Sequence, residues 1–293
     1  MSENNKGLIA YLSVCLFWGS TYLAIRIGVK DFPPSLFAAF RFIIAGSIMF
    51  MFAKFKGYEF PKSLKAIRHQ SVIGLLMLLG GTGLVCHAEK TLHSSIASLI
   101  ISTVPLFIAL FDLVIFKRSK MSKVGIFGLI IGFVGVAVLA LAGANNISFD
   151  FFGMILALGA SFFWSTGSMY SSMVKKEGHI VSNIAIQMLA GGIGLLVLGG
   201  LSGEFSSLHP TSESMMALLY LVVFGSIVGY SSYIYVLQVW PASRVGTYAY
   251  VNPVVALFLG VLILNEPVNL VIIMSLIIIL SGVILVQRSK IEH

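Results

Sequence analysis

Arg41 is the only charged residue between Pro33 and Lys54, in a run otherwise built of Phe, Ala, Ile, Met and a few small residues. Counted from Pro34 at 1.5 Å per helical residue, it lies about 10 Å inside that run. An arginine at mid-span costs about 2.5–3.5 kcal/mol to insert into lipid, so it calls for an anion. Glu89 lies near the end of the next apolar run, about one turn below its end and at a comparable depth. Two arrangements follow. Either Arg41 and Glu89 pair, or Arg41 holds a substrate carboxylate while Glu89 takes a proton. A purely structural ion pair and an arginine snorkelling outward are the competing readings.

Hydroxyls and aromatic rings recur on single helical faces, at spacings of three and four. Ser95, Ser98 and Ser102 lead to Pro105, and Asp112 continues their stripe. Ser161, Ser165, Ser168 and Ser172 form a second stripe beside Trp164. Ser226, Tyr230 and Tyr233 share a face, as do Arg244, Tyr248 and Asn252, and as do Thr82, Cys86 and Glu89. Trp18 lies between Ser13 and Ser20. The expected substrate-binding set is Trp18, Ser20, Arg41, Glu89, Ser102 and Trp164, together with Ser168, Tyr230, Tyr233, Tyr248 and Asn252. Such a lining suits a small polar or zwitterionic solute with an apolar part. The serine stripes serve equally well as close-packing faces, and the tyrosines as interfacial belts.

Hydrophobic residues make up 58% of the 293-residue chain and charged residues 10%, against roughly 25% charged in a soluble domain. With a mean hydropathy of +0.98, this excludes an ordinary soluble enzyme or a nucleic-acid binder. Ten apolar stretches can be marked: 8–28, 33–53, 71–91, 94–116, 124–142, 151–173, 180–200, 214–237, 242–264 and 268–287. Each is close to the roughly 20 residues needed to cross a bilayer. The first is read as a retained helix, because no small-residue cleavage site follows it.

Loops taken alternately put only Arg26, Lys30 and Lys90 on one side, and Arg41 lies within a span. The rest of the 19 Lys and Arg fall on the other side with both termini. Positive loops stay in the cytoplasm, so both termini are expected there. Cys15 and Cys86 lie in apolar runs and suggest no disulfide framework.

The chain repeats itself. Phe17-Trp18-Gly19-Ser20-Thr21 resembles Phe163-Trp164-Ser165-Thr166-Gly167 at a shift of 146, which also sets Arg41 on Gln187. Pro105 falls on Pro253 at 148, and Gly135-Val136 on Gly282-Val283 at 147. Each half holds an odd number of spans, so the second must enter the membrane upside down relative to the first. The expected fold is therefore all-α and membrane-integral, with ten transmembrane helices as two inverted five-helix repeats, residues 8–142 and 151–287. Inverted repeats of this kind build carriers whose two halves rock about a central site. Pro105 and Pro253 each remove a backbone hydrogen bond inside a span, giving either half-broken helices that bind or static kinks. Gly128/Gly132 and Gly225/Gly229 are close-packing faces; a homodimer is the other use of such a face. Asp150, Asn265 and Glu266 are placed as helix-end or surface residues.

Several of these residues carry a resemblance to a known family. Trp18-Gly19-Ser20, Phe40-Arg41-Phe42, Ala88-Glu89 through Ser95-Ile96-Ala97, Pro105, Pro241-Ala242, Asn252-Pro253 and Asn265-Glu266-Pro267 resemble the EamA-like family of the drug/metabolite transporter superfamily, over residues 8–287. The family often has a glutamate where the fourth helix ends, and here that position is Arg118. The resemblance implies export or uptake of small metabolites, commonly amino acids and related compounds. Export across a prokaryotic plasma membrane is the expected direction, with the lipid bilayer and a small-molecule substrate as partners. No cofactor, metal or nucleic acid is expected. The alternatives are an integral-membrane enzyme, for which no HExxH or GxSxG motif is present, and a channel or non-transporting scaffold.

Overall fold

A computed structural model describes residues 3–114, 122–146, 150–175, 177–240 and 245–288. Among the described residues there are helices and no strands. Helix α1 spans Glu3–Asp31 and stops ahead of Pro33-Pro34. Pro34 opens α2, Pro34–Phe55, where its missing N–H would be unpaired in any case. Gly57 then ends that turn at φ 67°, a conformation that suits glycine. Helix α3, Leu64–Ala88, starts on the Ser63 cap. Helix α4 comes in two pieces, Ser94–Ile101 and Val104–Val114, followed by α5, Lys123–Asn146.

The second half opens with α6, Phe151–Met173, capped by Asp150. It continues with α7, Ile180–Leu201, and α8, Ser212–Val239, which Thr211 caps reciprocally with Ser214. Helix α9 begins as a 3-10 turn, Gly246–Tyr250, and continues as Asn252–Leu264; α10 is Leu270–Arg288. Asn265 closes α9 in the left-handed conformation. Eight of these helices are long and apolar enough to cross a membrane, and the apolar parts of α5 and α10, Lys123–Leu139 and Leu270–Val286, are shorter. Leu8, Ile9, Leu12 and Leu16 are exposed on one face of α1, as are Ile273, Met274 and Ile277 on α10. Apolar faces turned outward on this scale mark an integral membrane protein.

Helix contacts come in matched sets. Helix α2 packs along α7, and α5 along α10. Helix α1 touches α8 and α9, as α6 touches α3 and α4. Helix α2 meets α8 as α7 meets α3. The irregularities match too. The middle of α3, Leu75–Gly83, and the middle of α8, Leu221–Tyr230, both wind as π-helix. The gap between the pieces of α4, at Ser102-Thr103, precedes Pro105 just as the turn at Val251 precedes Pro253. A proline cannot donate to the carbonyl four residues back, which is why the helices part there.

The Gly128–Gly132 face lies against Gly282 of α10: a Cβ on Gly128 would meet the Gly282 carbonyl, and one on Gly282 the Gly132 backbone. Arg118, Lys117, Lys120, Lys176, Pro241-Ala242, Arg244 and Lys290, and the side chain of Asp112, lie outside the described residues.

Candidate functional site

Between the two sets of helices lies a narrow cavity of about 60 Å³. A water needs roughly 10–15 Å³ on this measure, so there is room for about four waters and none for a metabolite until the walls move. Helix α1 supplies Trp18, Thr21 and Tyr22, and α2 supplies Arg41 and Phe42. The π-helical segments contribute Leu78, Gly81 and Thr82 from α3, and Gly225 and Tyr230 from α8. Trp164 of α6 and Tyr248 of α9 complete the polar and aromatic lining. A π turn is wider than an α turn and is common at functional sites. Here two such segments face one space, and their glycines bring backbone to its wall.

Arg41 is 5% exposed. Its Nε donates to Ser226 Oγ at 2.8 Å, and the guanidinium carbon lies 4.8 Å from the Phe42 ring centre. Among the described residues no carboxylate pairs with it. The expected Arg41–Glu89 pair is therefore not formed. Two local facts explain this. Ser226 takes the Arg41 Nε, and helix α3 ends at Ala88, so Glu89 is its C-cap residue instead of lying a turn inside. Arg26 donates to the Glu89 backbone carbonyl. The Glu89 side chain is fully buried, and both carboxyl oxygens lack a hydrogen-bond partner.

The cavity floor is a cluster of aromatic rings. Trp18 lies 5.2 Å from Trp164 edge-on, 4.9 Å from Tyr233 and 5.2 Å from Tyr248. Trp18 Nε1 donates to Gly225 O at 3.2 Å. Tyr233 stands behind the lining, where its hydroxyl meets Ser168 Oγ at 2.9 Å. Tyr230 donates to Gln187 Oε1 at 2.7 Å. Of the expected set, Trp18, Arg41, Trp164, Tyr230 and Tyr248 thus border one space, with Tyr233 and Ser168 packed behind them.

The others lie elsewhere. Ser20 meets Tyr220 at 2.6 Å on another face of α1. Ser102 turns back onto Leu99 O at 2.6 Å, at the break in α4. Asn252 is 2% exposed at the start of the second piece of α9, and neither amide atom has a partner. Of the serine stripe on α6, Ser161 and Ser165 stitch α6 to the interrupted α4, donating to Ile100 O at 3.4 Å and Val104 O at 3.1 Å. Tyr22 and Gly81 were not anticipated. The glycine clusters at 80–83 and 225–229 are the sequence signal that could have found this wall.

At both ends of the helices, contacts between the halves take the form of carboxylate caps. At the Glu89 end, Glu204 accepts from the backbone of Ser35 and Leu36, at 3.3 and 2.9 Å, and so caps α2. Glu266 caps α4 in the same way, accepting from Ser94 and Ser95. A carboxylate at a helix N-terminus meets unpaired N–H groups and the positive end of the dipole. His87 lies 3.6 Å from Glu204, and His93 lies 4.0 Å from Glu266. At the opposite end Glu177 caps α3 through Lys62 N, Ser63 N and Ser63 Oγ, at 2.6–2.8 Å. Bonds from Ser63 and Lys62 hold its carboxyl below the usual range. Tyr58 stacks on His179 with ring centres 3.7 Å apart. Among the described residues no three His, Cys, Asp or Glu side chains gather as metal ligands. Cys15 and Cys86 are free and buried.

The tight contact between Trp18 and α8 gives one prediction. A Cβ at Gly229 would fall 2.5 Å from Trp18 Nε1 and 2.9 Å from Phe224 O. Trp18 is wedged among the other rings and cannot step aside. Gly229→Ala should cost about 1–3 kcal/mol as overpacking and disturb the floor. Thermal melting of the purified variant, with tryptophan fluorescence as the probe, checks both effects.

Comparison with known proteins places this geometry. Residues 5–141 and 151–288 each match the profile of the EamA-like transporter family. The chain is 35% identical over 283 residues to the uncharacterized inner membrane transporter YedA of Escherichia coli, covering 96% of this chain and 90% of that protein. It is 26% identical over 284 residues to the uncharacterized transporter YoaV of Bacillus subtilis, covering 95% of each. One crystal structure superimposes with a TM-score of 0.68 at 20% identity, covering 97% of this chain and 98% of that one. At that identity the likeness is one of fold.

Proposed function

We propose, from the premise that the chain belongs to the EamA-like transporter family, that it carries small polar metabolites across the membrane by alternating access. The proposed layout is ten transmembrane helices as two inverted five-helix repeats. The matched contacts and matched π segments of the two halves support it. The proposed substrates are amino acids or related compounds bearing a carboxylate and an apolar group, and the proposed net direction is export. The proposed location is a prokaryotic plasma membrane with both termini cytoplasmic, as the charge pattern of the loops suggests.

One observation carries the reading: a buried guanidinium at an aromatic-lined cavity, with no carboxylate of the protein paired to it among the described residues. Such a charge is costly unless an anion joins it. A substrate carboxylate would take the free N–H groups of Arg41, and its apolar part would lie on Trp18, Trp164, Tyr230 and Tyr248. Glu89 and Asn252, whose buried polar atoms lack partners here, would meet the substrate or its amine once the ends open.

The test is a thermal-shift screen of purified protein against amino acids, sugars and nucleosides, since a ligand stabilises the state that binds it. An amino acid that raises the melting temperature should then show saturable counterflow in proteoliposomes, which an open pore would not give. Stabilisation only by sugars or nucleosides would reject the substrate class. Counterflow absent for every hit would reject the carrier.

A further inference from the structure

Behind the aromatic floor, towards the Glu177 end, lies a second pocket walled by carboxamides. Gln70 of α3, Asn183 and Gln187 of α7 and Gln238 of α8 line it, with Ser171 of α6. Its volume is about 10 Å³, close to the room one water needs. Among the described residues no charged side chain borders it.

Two of these amides are linked to each other and to Tyr230. Gln187 Nε2 donates to Gln70 Oε1 at 2.6 Å, and Gln187 Oε1 accepts from Tyr230 at 2.7 Å. Asn183 Nδ2 donates to the Glu177 carbonyl at 3.0 Å. Asn183 is 4% exposed, and its Oδ1 is buried without a partner. A buried amide oxygen left unpaired is costly, and the space beside it takes a small hydrogen-bond donor. Tyr230 belongs to both spaces, since its side chain borders the central cavity while its hydroxyl holds Gln187. The repeat gives the pocket its place: Gln187 is the position that matches Arg41 in the other half.

We propose that the carboxamide pocket is a second subsite on the translocation path, closed off from the central cavity by the Tyr230–Gln187 hydrogen bond, and that it takes uncharged hydrogen-bonding groups. The proposal rests on the carrier reading. It gives the path a charged anchor at Arg41 and, beyond it, a neutral station lined by amides.

Thiol labelling tests this without a known substrate. Cys15 and Cys86 are first replaced by alanine, and a single cysteine is introduced as Ser171→Cys in the pocket or Thr82→Cys in the cavity. A membrane-impermeant sulfonated methanethiosulfonate is applied to vesicles of either orientation. Ser171→Cys should label from the Glu177 end. Thr82→Cys should label slowly from that end, and Tyr230→Phe or Gln187→Leu should raise its rate roughly tenfold, the scale of one lost hydrogen bond. A neutral hydroxyethyl reagent, corrected for its rate with free thiol, should outpace both the sulfonate and the trimethylammonium reagent at Ser171→Cys.

The proposal is overturned if Ser171→Cys does not label from that end or shows no preference for the neutral reagent. It is also overturned if both Tyr230→Phe and Gln187→Leu leave Thr82→Cys unchanged or raise its rate equally from both ends. Labelling reports the water path itself, so loss of counterflow alone would reject the carrier reading without the same result here.

Discussion

Replacing Arg41 with glutamine is expected to lower transport at least a hundredfold while leaving protein level and melting temperature unchanged or slightly raised. The first half of that expectation comes from the cavity. Arg41 is 5% exposed beside an aromatic-lined space, where a guanidinium can bind a carboxylate through two parallel hydrogen bonds. Truncating one member of a desolvated, hydrogen-bonded charge pair costs about 2–5 kcal/mol, roughly 30- to several-thousand-fold in binding. The second half comes from the protein's own ledger of charge. Among the described residues no carboxylate pairs with Arg41, so its guanidinium is a desolvated cation, and removing it relieves that cost. Glutamine is also what the second half already places at the matching position, Gln187.

Arg41→Lys should recover part of the activity, because an ammonium keeps the charge but loses the planar fork. Counterflow of a thermal-shift hit, scored beside the amount of folded protein in the membrane, measures both halves. Wild-type transport at wild-type protein level in Arg41→Gln would remove the anchor from the mechanism.

The helices were legible because lipid enforces a simple code. Each of the ten apolar stretches coincides with a helix, and Pro105 and Pro253 mark the breaks in α4 and α9. Periodicity could collect Tyr230, Tyr233 and Ser226 on one face of α8, but it assumes 3.6 residues per turn. The π segments of α3 and α8 wind more slowly, so the true faces drift away from that template. This is why Gly81 was missed, whereas Ser20 and Tyr22 sit on the regular helix α1, where only the packing partners decide which face borders the cavity. Glu89 was placed a turn inside because the apolar stretch was marked to residue 91, whereas the helix ends at Ala88. The glutamate caps were hidden for a different reason. Glu204 reaches α2 and Glu266 reaches α4 across about half of the chain, and local spacing carries no trace of a partner that far away.

Those long-range caps set the second large effect. Glu266 is 5% exposed, and its two oxygens accept from Ser94 N and Oγ, both at 2.7 Å, and from Ser95 N and Oγ, at 3.1 and 2.7 Å. Burial alone would push this carboxyl up. The four donors outweigh it and hold the group below the ordinary carboxylate range. A depressed value in the folded state means the stabilisation is fully present above the unfolded value, about 4.3 for glutamate. It is lost as the pH falls through the lower folded value. Glu266→Gln puts an amide NH₂ against two of four donors, which should cost about 3 kcal/mol and lower the melting temperature by roughly 5–10 °C.

The pH dependence separates this role from simple packing. Wild-type melting temperature should drop as the medium is acidified below pH 4, and the variant should lack that limb, so the two curves converge in acid. His93 and the buried Glu89 are the other titratable side chains near this cap. A Glu89→Gln, His93→Gln background therefore isolates the Glu266 limb. Parallel curves at every pH, or a variant as stable as wild type at pH 7, would mean that the bonds from Ser94 and Ser95 do not stabilise this cap.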